Sequence, residues 1–380
     1  MWPACLSLKI GRMFNHRIHN FSAGPAAIPL AVLQKAKDEF LNFQGTGMSI
    51  MEMSHRSKEF EAVLARAIDG VKQVLGVPDD YAILFIQGGA SMQFSMVPMN
   101  LSVPGKKIDI IQTGAWTQKA EKEAKKHTEV NIAASTESEN FMRLPKPEEI
   151  KLTPDAAYVH MCSNNTIFGT EYNWLPDTKG VPLISDMSSN IASREIDVSK
   201  YGLIFAGAQK NLGPSGVTLV IMRKDLAERA DKKLPSMMQY RTYIAENSLY
   251  NTPPTFGIYM LALTMEHIKE TGGLKATEAR NVAKATALYD AIDGSNGYYR
   301  CPVNKADRSR MNVNFRIYKG DEASEALEKQ FVGEAEKAGL SGLKGHRSVG
   351  GLRASIYNAV EQNSINALIQ FMQDFARKNG

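Results

Sequence analysis

The sequence predicts an α/β protein with a mostly parallel central sheet in a large domain and a smaller C-terminal α+β domain. Three observations support this prediction. Continuous apolar runs of strand length recur through the first part of the chain, as in strands buried on both faces. Helix-patterned segments lie between several of these runs, as crossover helices do. After about residue 255 the pattern changes to longer helices mixed with few strands.

The strand-like runs come in a regular order. We predict strands at 81–87, 107–114, 156–162, 181–186, 201–208 and 216–222. Segment 57–76 has apolar residues at helical spacing and ends at a glycine that a proline soon follows, so we predict a helix there. A second surface helix is predicted after Trp116.

The C-terminal part carries the pattern of the smaller domain. We predict helices at 255–270, 274–292, 321–339 and 361–378, with strands at 311–318 and 352–358. We place the large domain at 20–275 and the small domain at 276–380. Residues 1–19 are basic and contain no acidic residue, and we expect a disordered extension or an upstream start with Met13 as the true first residue. An organelle transit peptide is the alternative.

Composition excludes several classes of protein. The 380 residues are 43% hydrophobic and 22% charged, which is ordinary for a globular chain and excludes disordered and collagen-like classes. The three cysteines (Cys5, Cys162 and Cys301) are too few and too scattered for a disulfide framework, and no spacing indicates a metal site. We therefore expect a cytoplasmic protein. A net charge of +5 without a dense basic run favours small anionic ligands over nucleic acid, and no apolar run is long enough to span a membrane.

Chemically useful side chains follow the predicted strands at their carboxyl ends, where open α/β sheets bind ligands. Lys210 follows strand 201–208, and Asp186 ends strand 181–186. A glycine turn at 88–94 opens into a helix, whose free N–H groups suit a phosphate. Trp116 follows strand 107–114, and Thr166 lies shortly after strand 156–162.

Together these groups meet the needs of pyridoxal phosphate. A lysine amine forms a Schiff base with its aldehyde, an aspartate keeps its pyridine nitrogen protonated, an aromatic ring stacks on it, and a glycine turn holds its phosphate. Each residue alone has a structural explanation: Asp186 as a helix cap, Lys210 as a surface lysine, Trp116 as core. Their joint placement at strand ends is what predicts the cofactor site.

Six segments then resemble one family, the phosphoserine aminotransferases. They are NFSAGPAAIP (20–29), SHRSKEF (54–60), SDMSSN (185–190), AGAQKNLGPSG (206–216), NTPPTF (251–256) and GHRSVGGLRASIYNA (345–359). The resemblance implies the type I fold of pyridoxal-phosphate enzymes, with a seven-stranded sheet in the large domain. It also implies a homodimer with shared active sites.

The resemblance implies a role for each matching residue. Lys210 would carry the cofactor and shuttle the proton, Asp186 would pair with the pyridine nitrogen, and Trp116 would stack on the ring. Thr166 would bind the phenolic oxygen. The residues implied at the cofactor phosphate are Ala90, Ser91 and Gln209, with Asn251 and Thr252 from the neighbouring subunit.

The substrate side is implied in the same way. His55, Arg56, His346 and Arg347 match the pocket for the substrate phosphate, some of them from across the interface. Arg353 matches the arginine that binds the substrate α-carboxylate, a role that suits a planar guanidinium. In one branch of the family an arginine stands where this chain has Ser91, so the chain either belongs to the serine-bearing branch or binds the phosphate group with one cation fewer.

The activity implied is the reversible transamination of 3-phosphohydroxypyruvate with glutamate, giving O-phospho-L-serine and 2-oxoglutarate in serine biosynthesis. The family also accepts 4-phosphohydroxythreonine in pyridoxal phosphate biosynthesis. The alternatives are a serine–glyoxylate type aminotransferase, a cysteine desulfurase for which Cys301 is the loop candidate, and a non-catalytic protein that binds the cofactor.

Overall fold

A computed structural model describes residues 17–380. Its strands are β1 (His19–Asn20), β2 (Tyr81–Ile86), β3 (Ile108–Gln112), β4 (Val130–Ser135), β5 (Val159–Cys162), β6 (Leu183–Asp186), β7 (Leu203–Gly207), β8 (Thr218–Arg223), β9 (Tyr299–Arg300), β10 (Asn312–Lys319), β11 (Glu322–Ala323), β12 (Leu340–Ser341) and β13 (Leu352–Ser355). Its helices are α1 (Leu30–Asp38), α2 (Lys58–Leu75), α3 (Gly89–Leu101), α4 (Ala115–Ala124), α5 (Lys224–Ala227), α6 (Tyr240–Ala245), α7 (Thr255–Glu270), α8 (Gly273–Asp293), α9 (Glu325–Lys337) and α10 (Gln362–Asn379).

The central sheet confirms the predicted fold class. Seven strands lie in the order β2-β8-β7-β6-β5-β3-β4. Only β8 runs against its neighbours in this sheet, so the other six strands share one direction. Their carboxyl ends therefore meet along one edge.

The continuous apolar runs in the sequence follow from burial on both faces of this sheet. All six residues of β2 and all five of β3 are buried. One face packs against α2 and α7, through side chains such as Phe60 and Leu261. The other face packs against α3 and α6, through Phe94 and Tyr240. With no face left for solvent, alternation of polar and apolar residues has no reason to appear.

Helix α2 illustrates how local signals set an element's bounds. The Ser57 side chain accepts a hydrogen bond from the Phe60 N–H and caps the first turn. Gly76 ends the helix in the left-handed conformation at φ 65°, which glycine adopts without strain. The prediction of a helix at 57–76 is thereby confirmed.

A smaller antiparallel sheet carries the C-terminal part of the chain. Strand β10 pairs with β11, β13 and β9, and α8, α9 and α10 supply its core through residues such as Leu288, Phe331 and Leu368. Phe21 also packs in this core, and β1 pairs with β12. The described start of the chain thus joins the C-terminal unit, while the division at residue 275 stays a prediction.

The predicted N-terminal extension lies almost wholly outside the described residues, which begin at Arg17. Across residues 17–380 the structure contains no helix that combines the length and the apolar character needed to cross a membrane.

Candidate functional site

A cavity of about 350 Å³ lies at the carboxyl edge of the large sheet. Nine of the predicted site residues line it: Ala90, Ser91, Trp116, Thr166, Asp186, Gln209, Lys210, His346 and Arg353. Seven of them lie at or just after the carboxyl ends of five strands, β2, β3, β5, β6 and β7. The other two, His346 and Arg353, come from β13 of the smaller sheet and the loop before it. The sequence thus correctly predicted which strand ends converge.

Lys210 projects into the cavity from the turn after β7. Leu212 and Gly213 donate backbone hydrogen bonds to the Ala208 carbonyl and so close this turn tightly. The Lys210 Nζ donates to Thr166 Oγ1 at 2.7 Å. Burial lowers the pKa of Lys210, which favours the neutral amine, the nucleophilic form.

Asp186 ends β6 beside this lysine. Its carboxylate accepts a hydrogen bond from the Ser188 N–H at 2.9 Å, and burial raises the pKa of Asp186. None of the described basic side chains forms an ion pair with it within 4 Å. A protonated ring nitrogen in the cavity would supply the missing cation.

The turn between β2 and α3 forms an anion cradle. Gly88 adopts φ 93° and starts α3 without a side-chain cap. Among the described residues, no acceptor faces the N–H groups of Gly89, Ala90 or Ser91. These free donors and the positive end of the helix dipole suit a phosphate group.

Two further donors are left unpaired at the cavity. Trp116 Nε1 and Arg353 Nε are buried and have no partner within the described part of the chain. Arg353 is held in place because its Nη1 donates to the Thr166 carbonyl at 3.0 Å. Its remaining N–H groups can serve a ligand carboxylate.

The cavity mouth is cationic. Burial, followed by the charges of Arg353, Arg347 and Lys119, lowers the pKa of His346. The ring of His346 is fixed by a hydrogen bond between its Nδ1 and Ser348 Oγ at 2.7 Å. Several positive groups at one opening favour a ligand with more than one negative charge.

Five predicted residues do not line this cavity: His55, Arg56, Asn251, Thr252 and Arg347. His55 Nε2 and Asn251 Oδ1 are nevertheless buried without a partner among residues 17–380. The resemblance assigns Asn251 and Thr252 to a neighbouring subunit and places some of the His-Arg residues across the interface, so a single chain leaves the roles of these five residues as predictions.

The structure adds cavity residues that the sequence reasoning gave no role. Gly24 packs on the stem of Lys210: a Cβ at this position, where φ is 138°, would lie 3.3 Å from Lys210 Cγ. Nothing in the NFSAGP sequence (20–25) indicates this contact. Cys162 also lines the cavity, and burial holds the pKa of its thiol well above its usual range.

The donors and acceptors present fit pyridoxal phosphate. A free anion cradle, a lysine of lowered pKa, a buried unpaired carboxylate and an indole wall are each complementary to one part of that cofactor. Among residues 17–380 no group of three or more His, Cys, Asp or Glu residues could hold a metal ion.

Comparison with known proteins gives one consistent result. The model of the family "Aminotransferase class-V" matches residues 18–368. A phosphoserine aminotransferase of Desulfosudis oleivorans is 56% identical over 366 residues, which are 96% of this chain and 99% of the relative. The solved structure of the enzyme from Bacillus circulans subsp. alkalophilus is 54% identical, with a TM-score of 0.93 over 96% of this chain and 99% of that chain.

A more distant structure extends the likeness. The phosphoserine aminotransferase of Trichomonas vaginalis, solved with pyridoxal phosphate bound, is 42% identical with a TM-score of 0.90, covering 94% of this chain and all of that one. Family model, relatives and structures therefore agree with the site geometry: the chain belongs to the class-V aminotransferases and, within them, to the phosphoserine aminotransferases.

Proposed function

We propose that this protein catalyses the reversible transamination of 3-phosphohydroxypyruvate with glutamate to O-phospho-L-serine and 2-oxoglutarate, a step of serine biosynthesis. The observation that carries the proposal is the placement of Lys210 and Asp186 in one cavity that also holds the Arg353 guanidinium and the His346 ring. The family of the chain supports the same reaction. We place this activity in the cytoplasm.

The cofactor, when bound, supplies an electron-withdrawing ring that acidifies the Cα–H bond of the amino acid. The Nζ of Lys210 takes up that proton and returns it, because a neutral amine can act as the base and its protonated form, of lowered pKa, as the acid. The carboxylate of Asp186 holds a proton on the ring nitrogen. Trp116 would exclude water from one face of the cofactor ring. Thr166, to which Lys210 donates a hydrogen bond, would bind the phenolic oxygen of that ring.

The phosphate of the cofactor would be held at the start of α3. The N–H groups of Ala90 and Ser91 would donate to it there, and Gln209, which also lines the cavity, would add a contact. Asn251 and Thr252 of a second copy complete this shell. The orphaned Asn251 Oδ1 supports a partner group outside this chain.

The substrate is bound through its two anionic ends. Arg353 receives the α-carboxylate, which distinguishes amino acids and 2-oxo acids from other phosphates. His346 and Arg347, with His55 and Arg56 of the second copy, receive the substrate phosphate. Since Ser91 stands where some relatives have arginine, this pocket holds one cation fewer.

A homodimer is the assembly that this division of residues requires. Large apolar side chains are exposed in the segment that precedes His55 and directly before Asn251: Phe40, Leu41, Met48, Met51 and Tyr250. The segment around Phe40 lies beside the segment 251–256, because the ring centroids of Phe40 and Phe256 are 6.1 Å apart. Contiguous exposed apolar surface is typical of a protein interface, and we propose that these side chains contribute to one.

Two alternatives differ in what they need from the site. A cysteine desulfurase needs a mobile, reactive thiol, yet Cys301 does not line the cavity and burial raises the pKa of its thiol. A serine–glyoxylate type aminotransferase has no use for the cationic mouth beside His346. The related 4-phosphohydroxythreonine carries the same two anionic groups as phosphoserine, and we propose it as a second substrate of the same site.

The test is the visible absorption spectrum of the purified protein before and after addition of O-phosphoserine. We expect a cofactor band that phosphoserine converts to the spectrum of the aminated cofactor, while serine at the same concentration has little effect. A band that responds to serine and ignores phosphoserine would keep the fold and overturn the substrate. A cofactor band that no amino acid changes would support a non-catalytic binding protein.

A further inference from the structure

A fully buried amide, Asn312 on β10, lies behind the cavity but does not line it. We propose that Asn312 is a positioning residue for the reaction, which fixes Arg353 relative to Lys210 across the boundary between the two sheets. This inference rests on the proposed function, because it concerns how the same site holds its substrate.

Every polar atom of the Asn312 amide is engaged. Its Oδ1 accepts a hydrogen bond from Asn164 Nδ2 at 2.8 Å. Its Nδ2 donates to Ser355 Oγ at 3.0 Å and to Tyr357 Oη at 3.1 Å. An amide offers both the acceptor and the two donors that these three partners need, and no apolar side chain could replace it.

The first partner leads to the loop that carries Thr166. Asn164 lines the cavity, and its Nδ2 also donates to Ser189 Oγ at 2.7 Å. Two residues further along, Thr166 accepts from Lys210 Nζ through its hydroxyl and from Arg353 through its carbonyl. Movement of Asn164 would therefore be transmitted to both functional groups.

The second partner belongs to the strand that carries Arg353. Ser355 lies two residues after Arg353 on β13 and stands opposite Asn312 in the pairing of β10 with β13. Residues two apart on a strand point to the same face. The Asn312–Ser355 bond therefore fixes the face from which the guanidinium reaches the cavity.

The third partner leads to the loop that packs on Lys210. The Tyr357 hydroxyl donates to the Ala23 carbonyl at 2.8 Å. Gly24, the next residue, lies against the Lys210 side chain. Asn312 is thus linked to three walls of the cavity, in each case through one intervening residue (Asn164, Ser355 or Tyr357).

A buried network with all of its donors and acceptors satisfied is rigid, and losing one member leaves its partners unpaired at low dielectric. A displacement of about 1 Å between a binding group and a reacting group can cost about a hundred-fold in rate. Among the described hydrogen bonds, Asn312 is the one residue whose side chain bonds to all three of Asn164, Ser355 and Tyr357.

The test compares Asn312→Ala with Asn100→Ala. Asn100 is an equally buried amide that also makes three hydrogen bonds, to Met96, Met238 and Tyr240, none of which lines the cavity. Three quantities are measured on each holoenzyme: the thermal midpoint, KM and kcat for phosphoserine and glutamate, and the pH midpoint of the cofactor's visible spectrum.

We expect both variants to lower the thermal midpoint, because each loses three buried hydrogen bonds. Only Asn312→Ala should raise KM for both amino acids, by about ten-fold, and shift the spectral pH midpoint. Wild-type KM and spectral midpoint in Asn312→Ala, or equal kinetic losses in both variants, would overturn the proposal.

A milder variant keeps the test decisive if Asn312→Ala does not fold. Tyr357→Phe removes only the hydroxyl that links Asn312 to Ala23, and we expect a shift of the spectral pH midpoint with a rise of KM of about three-fold. A Tyr357→Phe protein with wild-type values would also overturn the proposal. Failure of the wild type to convert phosphoserine would instead overturn the proposed function, and the spectral midpoint would still test Asn312.

Discussion

The two halves of the predicted site differ in how the chain builds them. The half proposed to bind the cofactor is assembled within one chain, because Ala90, Trp116, Asp186 and Lys210 all lie at or just after the carboxyl ends of parallel strands in one sheet. The half proposed to bind the substrate phosphate is dispersed. His346 reaches the cavity, while the pair His55–Arg56 lies outside it.

The difference shows what each kind of structure can do. A parallel sheet brings residues from distant parts of the sequence to one edge without help from any other molecule. A pocket that must enclose a mobile, doubly charged substrate draws on loops and on a second copy of the chain. We therefore expect loss of the cofactor half to abolish the reaction and loss of the outer half to weaken it.

Replacing the lysine should have the largest effect. Lys210→Ala removes both the amine that holds the cofactor and the group that moves the proton, and we expect transamination to fall about ten-thousand-fold or more. The exposed Lys200→Ala should keep wild-type turnover as a control. Single-turnover spectra with phosphoserine measure the effect, and turnover above one hundredth of wild type in Lys210→Ala would refute the assigned role.

Arg353 lies where the two halves meet, and its loss should affect binding more than chemistry. A charge-assisted hydrogen bond contributes about 1.5–3 kcal/mol, so Arg353→Leu should raise KM about ten- to hundred-fold for every carboxylate substrate. Arg353→Lys keeps the charge without the planar fork and should give an intermediate KM. Steady-state kinetics with phosphoserine and with glutamate distinguish the roles, since a rise confined to phosphoserine would reassign Arg353 to the phosphate.

Mixing Lys210→Ala, which we expect to be inactive, with Arg56→Ala, which we expect to be weakened, tests whether the outer half comes from a second chain. In a dimer of Lys210→Ala with Arg56→Ala, one of the two sites would combine an intact Lys210 with an intact Arg56. Random exchange of subunits should then restore about a quarter of the wild-type activity. A mixture no more active than the separate variants would place Arg56 in its own chain's site or in neither.

Much of the fold and of the cofactor half could be predicted because the signals are local. Six strands were predicted from apolar runs, and α7 spans the predicted residues 255–270. Strand β4 was not predicted from the sequence. It lies at the sheet edge, and only two of its six residues are buried, so VNIAAS forms no continuous apolar run. The sequence also does not show that β8 is antiparallel to its neighbours, because a strand buried on both faces has the same apolar pattern in either direction.

The contacts that the sequence could not predict are those between distant segments. Gly24 approaches Lys210, and Asn312 bonds to Asn164, only because the C-terminal sheet docks behind the cavity. A glycine in a loop and an asparagine in a strand have many structural explanations. Their proximity to the site depends on tertiary packing, which no spacing in the sequence encodes.

The smallest effect on the reaction is expected at His160, a buried titratable residue near the cofactor half. We assign it no part in the reaction, so it tests where the cofactor half ends. It lies on β5 against the rings of Phe94 and Phe205, and its Nε2 has no partner among the described residues. Burial lowers the pKa of His160 to about 4, against about 6.5 in an unfolded chain. Between these values the unfolded chain binds more protons, so lowering the pH favours unfolding.

Between pH 7.5 and pH 5 the wild type should therefore lose about 2 kcal/mol of unfolding free energy through this residue alone. His160→Gln should be less stable at pH 7.5 but should lose about that much less on acidification, whereas the exposed His127→Gln should follow the wild type. Denaturant unfolding at both pH values gives the difference.

Because His160 faces an apolar cluster and not the cavity, His160→Gln should keep the wild-type KM for phosphoserine. An unchanged pH dependence would mean that folding does not lower the pKa of His160. A raised KM would mean that residues behind the cavity wall also affect substrate binding.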